Sequence, residues 1–590
     1  MLGWIKEHVK DDIDFVVWTG DSARHDKDEE HPRGAQEVLG MNRRVADKIA
    51  ETFSSSDGQL EIPVVPTFGN NDFLPHNIFY PGPNKWLHAY DDIWRRFIPE
   101  EQRHSFEFGG WFFVEVIPDQ LAVFSLNTMY FFDRNAGVDG CALPSEPGFK
   151  HMEWLRVQLQ RMRERGMKAI LIGHVPPART DSKELWDETC WQKYTIWLQQ
   201  FRDVVTASLY GHMNIDHFMF QDTHDIDLSL TSASPQTPDD DMISIASKED
   251  YLQDLVEKWS GLPDSAVKSL SEDNVDAIAK RSKGKGKKDP YKKIGGEFAE
   301  RYQLSLISPS IVPNFFPTIR VFEYNITGLE KAKVWTDSFD AAAWVPPTNL
   351  DWVDEDGDRD EDGSRQKLKR DLDTEKKKKK KKKHGKGDKG KKPKDPNLII
   401  PEDPSEKNLP GPAYLNQAFT LTGYTQYYAN LTYLNNDIPD DFASKGWRDG
   451  DHPVDEPQHK PARPHDFEFQ VEYSTFDDKI YKLPDLTVRN YVKLAYRIGE
   501  HLTGKSNSLN REDAGDESEK RGGDVLDSAE DGLELDEEEE CDGEGNVESE
   551  KKKKKKKKKK HHHGKKNKAW LAFLDRAFVR TKSKDELKKL

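Results

Sequence analysis

Residues 1–234 alternate short apolar runs with amphipathic stretches, and this alternation is the strongest constraint on the fold. Short apolar runs bounded by turn residues are typical of buried strands, whereas apolar residues at helical spacing predict amphipathic helices. Helices are predicted at Glu37–Phe53 and Lys150–Arg165, and Gly166 is a natural C-cap for the second. Strands are predicted at Ile13–Thr19, Ile62–Pro66, Trp111–Ile117, Leu121–Leu126, Ala169–Ile172 and Val204–Tyr210. This order predicts an α/β fold with a layered β-sandwich flanked by helices.

The rest of the chain is far more polar. Charged residues make up 33% of the 590 residues, which is too many for a chain of that length to be packed throughout. Lysine runs at Lys376–Lys383 and Lys551–Lys560 and an acidic stretch at Glu512–Glu550 predict long disordered inserts and a disordered tail. Because these blocks have opposite charge, the net charge of -17 says little about partners.

Changes in composition divide the chain into six segments. The second segment is predicted to contain one short helix, and the last is predicted to end in another, in the sequence KAWLAFLDRAFV. The segments are a compact core at 1–234, a charged insert at 235–297, the end of the core at 298–350, a Lys-rich disordered linker at 351–412, a C-terminal compact segment at 413–501 and an acidic and poly-Lys disordered tail at 502–590.

The three cysteines fit neither a disulfide framework nor a thiolate zinc site. At most one bridge can form, and Cys141 with Cys190 is the only pair within a region predicted to fold, since Cys541 lies in the tail. The sequence has no apolar run near the roughly 18 residues that a membrane span needs, and its N-terminus lacks the apolar region of a signal peptide.

Four predicted strands end in glycine followed by a side chain that can bind a metal ion. In isolation, the polar run in TFGNNDF is typical of a turn. Four such endings in one domain predict convergence, because ligands of open α/β folds bind outside the carboxyl ends of the strands. The pairs are Gly20-Asp21, Gly69-Asn70, Gly173-His174 and Gly211-His212.

These residue types predict a two-metal hydrolase. Such a centre needs oxygen and imidazole ligands around two ions roughly 3.5–4 Å apart, and glycine lets the backbone turn beside them. Asp, Asn and His suit two divalent ions such as Mn, Co, Zn, Fe or Mg without any thiolate.

The four motifs, in this order and at these spacings, resemble those of the calcineurin-like metallophosphoesterase superfamily. The segments FSLNTMYFF, SPSIVPNFFPTIRVFEYN and GYTQYYANL are similar to the acid-sphingomyelinase-like branch. Within that branch, WTGDSARHD, GNND and YGHMNIDHF are most similar to fungal endopolyphosphatases, over roughly residues 1–501 apart from the inserts. The resemblance implies metal-dependent cleavage inside chains of inorganic polyphosphate.

The resemblance also assigns roles to the residues that match the family's motifs. It implies that Asp21 bridges both metals, and that Asn70, His174 and His212 complete the shell of the second metal. Asp21 and His174 are thereby candidate catalytic residues as well as metal ligands, and Asp72 is expected to orient the loop.

Two positions depart from the family's pattern. Asn71 stands where most members have a histidine that protonates the leaving group, so it cannot act as a general acid. We expect Asn71 to donate a hydrogen bond to a phosphoryl oxygen, and a phosphate chain leaves as a stable anion with little need of a proton. Asn214 replaces the final histidine ligand of the first metal, with Asp216 and His217 nearby as substitutes.

The family's opening strand carries Asp-x-His and would precede the helix predicted at Leu2–Lys10. We therefore expect an N-terminally truncated chain, whose absent part would also hold a membrane anchor. The resemblance implies a vacuolar membrane protein with its catalytic domain in the lumen. Glycosylation sequons at Asn325 and Asn430 would suit that location.

Several basic side chains near the motifs are weaker candidates for phosphate binding, and a solvated surface charge is the competing interpretation for each. They are Arg24, His25, His76 and Arg179.

Two alternatives to a polyphosphatase remain open at this point. One is a phosphodiesterase of the sphingomyelinase type, which the absent histidine at Asn71 disfavours. The other is a catalytically inactive protein whose lysine runs bind polyanions electrostatically, with no specific nucleic acid as partner.

Overall fold

The computed structural model describes residues 1–26, 30–232, 247–270, 291–311, 315–337, 397–404, 410–436, 463–509 and 567–590. The two lysine runs, the acidic stretch and Cys541 lie outside these residues. The strands are β1 (Val16–Trp18), β2 (Val64–Pro66), β3 (Phe112–Ile117), β4 (Leu121–Ser125), β5 (Lys168–Ile172), β6 (Val205–Tyr210), β7 (His217–Asp222), β8 (Tyr302–Ile307), β9 (Thr318–Tyr324), β10 (Leu421–Tyr428) and β11 (Gln470–Ser474).

The described helices lie before, between and after these strands. They are α1 (Leu2–His8), α2 (Ala35–Phe53), α3 (Lys85–Ile93), α4 (Arg103–Gly109), α5 (Pro147–Arg165), α6 (Glu188–Gln200), α7 (Lys248–Ser260), α8 (Asp264–Ser269), α9 (Leu431–Asn435), α10 (Val488–Leu509), α11 (Lys568–Ala577) and α12 (Lys584–Leu587). The fold is mixed α/β, as predicted. All six predicted strands are present, as are the helices predicted at Leu2–Lys10, Glu37–Phe53 and Lys150–Arg165, with ends that differ by a few residues.

A six-stranded sheet forms the centre of the molecule, in the order β3-β4-β5-β6-β8-β7. Strands β4, β5, β6 and β8 are parallel, whereas β3 and β7 pair antiparallel at the two edges. The carboxyl ends of β5 and β6 therefore lie at the same edge of the sheet. The apolar residues of β4 and β5 are almost all buried, as expected for strands covered on both faces.

A second, two-stranded parallel sheet brings β1 and β2 against the carboxyl end of β4. The Thr67 hydroxyl donates to the Leu126 carbonyl at 2.7 Å, and the Ser125 hydroxyl donates to the Pro66 carbonyl at 2.6 Å. These bonds place the ends of β1 and β2 beside those of β5 and β6. A third sheet, antiparallel and in the order β11-β10-β9, is formed by the C-terminal half of the chain.

The helices begin and end where the sequence provides caps. Pro147 occupies the first turn of α5, and Gly166 ends the helix in the left-handed conformation at φ 72°. The side chain of Asp187 caps α6 by accepting the N–H of Thr189.

The segment predicted as a charged insert with one short helix contains two described helices, α7 and α8. Ser247 and Asp250 form a capping box at the start of α7. Its apolar face is buried, and Trp259 stacks on Phe218 of β7 with ring centroids 4.5 Å apart. This helix is therefore part of the core rather than an appendage.

The predicted helix near the C-terminus is also confirmed, and it too packs on the core. On α11, Trp570, Phe573 and Leu574 are at most 2% exposed. Phe573 contacts Trp259 with ring centroids 5.4 Å apart, and the Arg576 guanidinium pairs with the Asp478 carboxylate at 2.6 Å. The predicted disorder of residues 510–566 lies outside the described residues.

Cys141 and Cys190 form a disulfide, which confirms the only pairing that the sequence favoured. The bridge joins the loop before α5 to the first turn of α6. Among the described residues, none of the helices combines the length and apolar character needed to cross a bilayer.

We expect Phe573→Ala to lower the free energy of unfolding by about 3–5 kcal/mol, because it removes a fully buried aromatic ring from the contact between α11 and α7. Urea denaturation of the full chain measures this. The matched control is Lys568→Ala on the exposed side of the same helix, which should change stability by less than about 0.5 kcal/mol. Equal effects of the two substitutions would show that α11 is not part of the core.

His151 on α5 provides a second test, of the pH dependence of stability. The ring is fully buried between Trp111 and Phe131, and burial lowers the pKa of His151 to about 3. The unfolded chain, with a pKa of about 6.5 at this residue, binds more protons between these two values. The contribution of His151 to stability is therefore complete above about pH 6.5. As pH falls below this value, the free energy of unfolding decreases by up to about 1.4 kcal/mol per pH unit.

We therefore expect His151→Phe to flatten the loss of stability between about pH 6.5 and about pH 4. Urea midpoints at a series of pH values measure the slope. His104→Gln, at a fully exposed histidine, is the control and should leave the slope unchanged. A slope that His151→Phe does not alter would contradict the expected burial of a neutral imidazole.

Candidate metal centre

The loops after β1, β2, β5 and β6 bring together the four predicted ligands of the second metal. Asn70 Oδ1 lies 2.9 Å from His174 Nε2 and 2.8 Å from His212 Nδ1. The nitrogen atoms His174 Nε2 and His212 Nδ1 are 3.2 Å apart, and Asp21 Oδ2 lies 3.2 Å from His174 Nε2. Atoms that share one cation at about 2.1 Å lie roughly 3 to 3.4 Å apart, so these spacings suit a single ion.

The hydrogen-bond partners of these residues show which atoms face the centre. His174 Nδ1 lies 2.6 Å from the Thr19 carbonyl and donates its proton there, so Nε2 presents a lone pair. Asn70 Nδ2 donates to Asn77 Oδ1 at 3.0 Å, so Asn70 presents its oxygen. When the His174 ring is neutral, its lone pair therefore converges with the amide oxygen of Asn70 and the carboxylate of Asp21. Such a set of acceptors fits a bound cation.

The electrostatics of the cluster favour a neutral His212 and a charged Asp21, whereas they favour protonation of His174. Burial lowers the pKa of His212 to about 3, which keeps its imidazole neutral. Burial alone would raise the pKa of Asp21, but the charge of His174 and the hydrogen bond from the Asn71 N–H hold it well below the usual value. Burial opposes protonation of His174, yet the Asp21 carboxylate raises its pKa overall. Asp21 is therefore a carboxylate that strongly attracts positive charge.

The backbone is strained at three of the predicted metal ligands. Asp21, His212 and Asn214 have φ angles of 59°, 67° and 56°, in the left-handed region that non-glycine residues rarely adopt. Strain of this kind costs about 1–3 kcal/mol for each residue and is concentrated at functional sites. The loops therefore hold these residues in a left-handed backbone conformation that non-glycine residues disfavour.

Two of the predicted glycines are needed because the β1 and β2 loops almost touch. A Cβ at Gly20 would lie 2.4 Å from the Gly69 nitrogen, and a Cβ at Gly69 would lie 2.1 Å from Asp21 Oδ1. Any larger residue at either position would separate the loops that carry Asp21 and Asn70.

Asp72 ties the same two loops together, as its predicted orienting role requires. Its carboxylate accepts backbone N–H groups from Gly69 and Asp21 at 2.9 Å each, and further bonds from Ser22, Ala23 and the Asn42 side chain. Burial and the nearby Asp21 charge raise the pKa of Asp72, although these donors oppose the rise.

An aromatic cluster lies beneath this loop and fixes both of its ends. Phe68 and Phe73 are fully buried, and Phe68 stacks on Trp94 with ring centroids 4.5 Å apart. The Tyr90 hydroxyl also donates to the Asp72 carbonyl at 2.7 Å. The two phenylalanines in TFGNNDF therefore anchor the polar residues between them.

Asn71 contacts Asp21 with both its backbone and its side chain. Its N–H donates to Asp21 Oδ1 at 2.9 Å, and its Nδ2 donates to Asp21 Oδ2 at 2.8 Å. These bonds use one of the two Nδ2 hydrogens, so the expected donation to a phosphoryl oxygen stays a prediction.

The residues considered as substitutes for the first metal's ligands are bound elsewhere. Asp216 is buried and pairs with the Arg320 guanidinium at 2.6 Å, and it also accepts the Tyr473 hydroxyl. His217 Nε2 lies 3.1 Å from the Tyr251 hydroxyl on α7. Both side chains therefore support the loop rather than replace a ligand, and the ligand role of Asn214 stays a prediction.

The weaker candidates fall into two groups. The guanidinium groups of Arg24 and Arg179 pair with Glu37 and Glu188 at 2.6 and 2.9 Å. His25 and His76 instead lie beside the centre and share a residue that the sequence analysis missed. Their Nδ1 atoms each lie 2.9 Å from the carboxylate of Asp26.

Other residues near the centre were also missed. Asn77 accepts from Asn70, and Arg33 donates to the carbonyls of Arg24 and Asn71 at 2.6 Å each. Asp26 and Asn77 directly follow the candidate histidines in sequence, which is a signal that could have found them. Arg33 lies in a polar stretch that gives no such signal.

Comparison with known proteins places this site in a family. Residues 1–216 match the family model for calcineurin-like phosphoesterases. An endopolyphosphatase of Neurospora crassa is 52% identical, over 86% of this chain and 71% of its own length. Endopolyphosphatases of Saccharomyces cerevisiae and Schizosaccharomyces pombe are 33% and 32% identical, over 85% and 84% of this chain and 75% and 72% of their own lengths.

The chain belongs to the endopolyphosphatase family. Its phosphoesterase domain contains all four converging ligands, since the matched residues extend past His212. Calcineurin-like phosphoesterases use a dinuclear centre of divalent cations, and the acceptor set built from Asp21, Asn70, His174 and His212 fits one half of such a centre.

The buried ion pair beside the His212 loop gives a test of how this family member holds its site. Arg320→Met leaves the buried carboxylate of Asp216 unpaired, and we expect a loss of about 3–5 kcal/mol in unfolding free energy. Thermal or urea unfolding measures the loss. Arg43→Met, which breaks an exposed pair with Asp92, is the matched control and should cost less than about 1 kcal/mol.

The double substitution Asp216→Leu with Arg320→Met removes both charges. It should recover most of the stability lost in the single variant, because no uncompensated charge remains buried. A double variant as unstable as Arg320→Met alone would show that the charge pairing is not the cause.

Proposed function

We propose that this chain hydrolyses phosphoanhydride bonds within chains of inorganic polyphosphate and releases shorter polyphosphates. The observation that carries the proposal is the convergence of Asp21, Asn70, His174 and His212 at the ends of four strands in a member of the endopolyphosphatase family. The endopolyphosphatase name of the relatives supplies the substrate class.

The site would hold two divalent cations. Asn70, His174 and His212 would bind one, Asp21 would bridge both, and Asn214 would contribute to the other. Oxygen and imidazole donors suit Mn, Co, Zn, Fe or Mg. When bound, the cations supply an activated water nucleophile and stabilise charge on the phosphoryl oxygens.

The residues of the chain prepare this chemistry by position and charge. Asn71 fixes the Asp21 carboxylate through two donated hydrogen bonds, and the Thr19 carbonyl fixes the tautomer of His174. Asn71 cannot donate a proton to a leaving group. An internal polyphosphate bond suits this site because the departing phosphate chain is already a stable anion.

The same argument weighs against the alternatives. The poor alkoxide leaving group of a sphingomyelinase-like phosphodiester would need an acid at the position of Asn71. An inactive polyanion-binding protein would have no need for three strained residues around a set of converging acceptors.

We further propose that the protein works in the lumen of the vacuole, attached to its membrane by an anchor outside the described residues. The Cys141–Cys190 disulfide supports an oxidising compartment. Asn325 and Asn430 lie on the surface at the end of β9 and at the start of α9, where a glycan could be attached. Their glycosylation is part of the same proposal.

Asp21→Ala tests the function directly. We expect hydrolysis of long-chain polyphosphate to fall roughly a thousandfold or more, because charge stabilisation at a metal centre contributes several kcal/mol and each 1.4 kcal/mol changes the rate about tenfold. Gel electrophoresis of the products also reports whether fragments of intermediate length appear. Asp11→Ala, at an exposed aspartate on the preceding turn, should retain the parent rate.

Metal removal and a substrate panel complete this test. Chelation should abolish turnover, and added Mn²⁺ or Co²⁺ should restore it. Retained turnover in Asp21→Ala, or cleavage of sphingomyelin in preference to polyphosphate, would overturn the proposed function.

A further inference from the structure

We propose that Asp26 and His76 form a hydrogen-bonded relay that holds the side-chain amide of Asn70 with its oxygen toward the metal centre. The inference rests on the proposed function, because Asn70 is a metal ligand in it. In this relay Asp26 and His76 are positioning residues, and neither touches the reacting atoms.

The amide of Asn70 has two N–H bonds, and both are directed away from the centre. Nδ2 lies 2.9 Å from His76 Nε2 and 3.0 Å from Asn77 Oδ1. On the other side, Oδ1 faces His174 Nε2 and His212 Nδ1 at 2.9 and 2.8 Å. Rotation of the amide by half a turn would place its oxygen against the Asn77 oxygen, so the two acceptors select one orientation.

This arrangement also defines the tautomer of His76. Because Nε2 accepts the Asn70 N–H, the proton of the neutral ring is on Nδ1. His76 Nδ1 lies 2.9 Å from Asp26 Oδ2, so it donates to that carboxylate. The carboxylate thus fixes the ring, and the ring fixes the amide. Outer partners of metal ligands typically act in this way.

The position of His76 in the chain supports the role. The N–H of Asn77 donates to the Asn70 carbonyl at 3.4 Å and closes a loop between these two residues. The loop places His76 and Asn77, whose side chains accept the Asn70 N–H bonds, beside Asn70. Asn77 itself has a φ of 67°, a left-handed conformation that turns its side chain toward Asn70. The His76 side chain is only 23% exposed, and the ring of His25 packs against its edge with centroids 5.1 Å apart.

The alternative to the relay is a third cation bound by the same residues. Ligand atoms of His25, Asp26 and His76 all lie within 4.8 Å of one another. Two contacts disfavour it. The Asp26 N–H donates to His25 Nδ1 at 3.0 Å, which uses that lone pair. A cation on His76 Nδ1 would move the ring proton to Nε2, where it would face the Asn70 N–H. The relay therefore accounts for the contacts better than a cation does.

The experiment compares Co²⁺ binding to the full chain and to His76→Ala, His76→Gln and His104→Ala by calorimetric titration of the metal-free protein. The expected result is that His76→Ala binds Co²⁺ about 10–100-fold more weakly, as is typical when an outer partner of a metal ligand is lost. His76→Gln should recover much of the affinity, because the glutamine oxygen can accept the Asn70 N–H. His104→Ala, at a fully exposed histidine, should bind as the parent does.

The number of bound Co²⁺ ions separates the relay from the third cation. His25→Ala and His76→Ala should both keep the parent stoichiometry. The relay is overturned if His76→Ala binds with the parent affinity, or if both variants lose one ion while the affinity of the rest is unchanged.

The readout is metal affinity rather than turnover, so the two proposals can fail separately. A parent chain that binds Co²⁺ but leaves polyphosphate intact would overturn the proposed function, and the relay would still be decided by His76→Ala. A parent chain that binds no Co²⁺ overturns both.

Discussion

The carboxylate of Asp72 is the interaction on which the metal-ligand loops depend. Strands β1 and β2 pair over only three residues each, which is too little to hold the loops that follow them. Asp72 supplies the missing connection, because its two oxygens accept N–H groups from both loops. Hydrogen bonds to a charged acceptor contribute about 1.5–3 kcal/mol each, and a buried carboxylate without them would be very costly.

The loop that carries His212 depends on parts of the chain that are distant in sequence. His212 and Asn214 are strained, and the loop they occupy continues into Asp216. Its carboxylate is held by Arg320 of β9 and Tyr473 of β11, and its N–H donates to the Ala577 carbonyl on α11 at 3.3 Å. The third sheet and the last helices thus stabilise a site whose converging ligands all precede residue 213. Similarity to the Neurospora crassa relative likewise covers 86% of the chain and extends beyond residues 1–216, which match the phosphoesterase family model.

Local sequence patterns were sufficient to predict the part of this arrangement that lies on strand ends. Apolar runs locate β1, β2, β5 and β6, and the glycine after each locates the turn, so Asp21, Asn70, His174 and His212 could be grouped before their distances were known. The same reasoning located the helix in KAWLAFLDRAFV from its apolar spacing. A buried helix face indicates that some partner exists but does not identify it, and for this reason the contact of Phe573 with Trp259 was not predicted.

Contacts between distant polar residues could not be predicted at all, and they account for the errors near the site. Asp216 and His217 are close in sequence to His212, and proximity alone suggested that they bind metal. Their actual partners, Arg320 and Tyr251, lie on β9 and α7 and carry no local pattern that points to this loop. Asp26 was overlooked because a polar residue in a polar loop is usually solvated, and its place after a candidate histidine indicates a role only together with its contact with His76.

The assignment of Asn71 links this geometry to the choice of substrate. Its backbone N–H and one side-chain N–H donate to Asp21, so the residue fixes the position of a metal-binding carboxylate instead of protonating a leaving group. A site arranged in this way fixes the position of its carboxylate ligand but has no general acid at Asn71. The absence of a general acid is tolerated only where the leaving group is a weak base. A phosphate within a polyphosphate chain is such a leaving group, whereas an alkoxide is not. Asn71, one of the two residues that depart from the superfamily's pattern, is therefore compatible with a polyphosphate substrate.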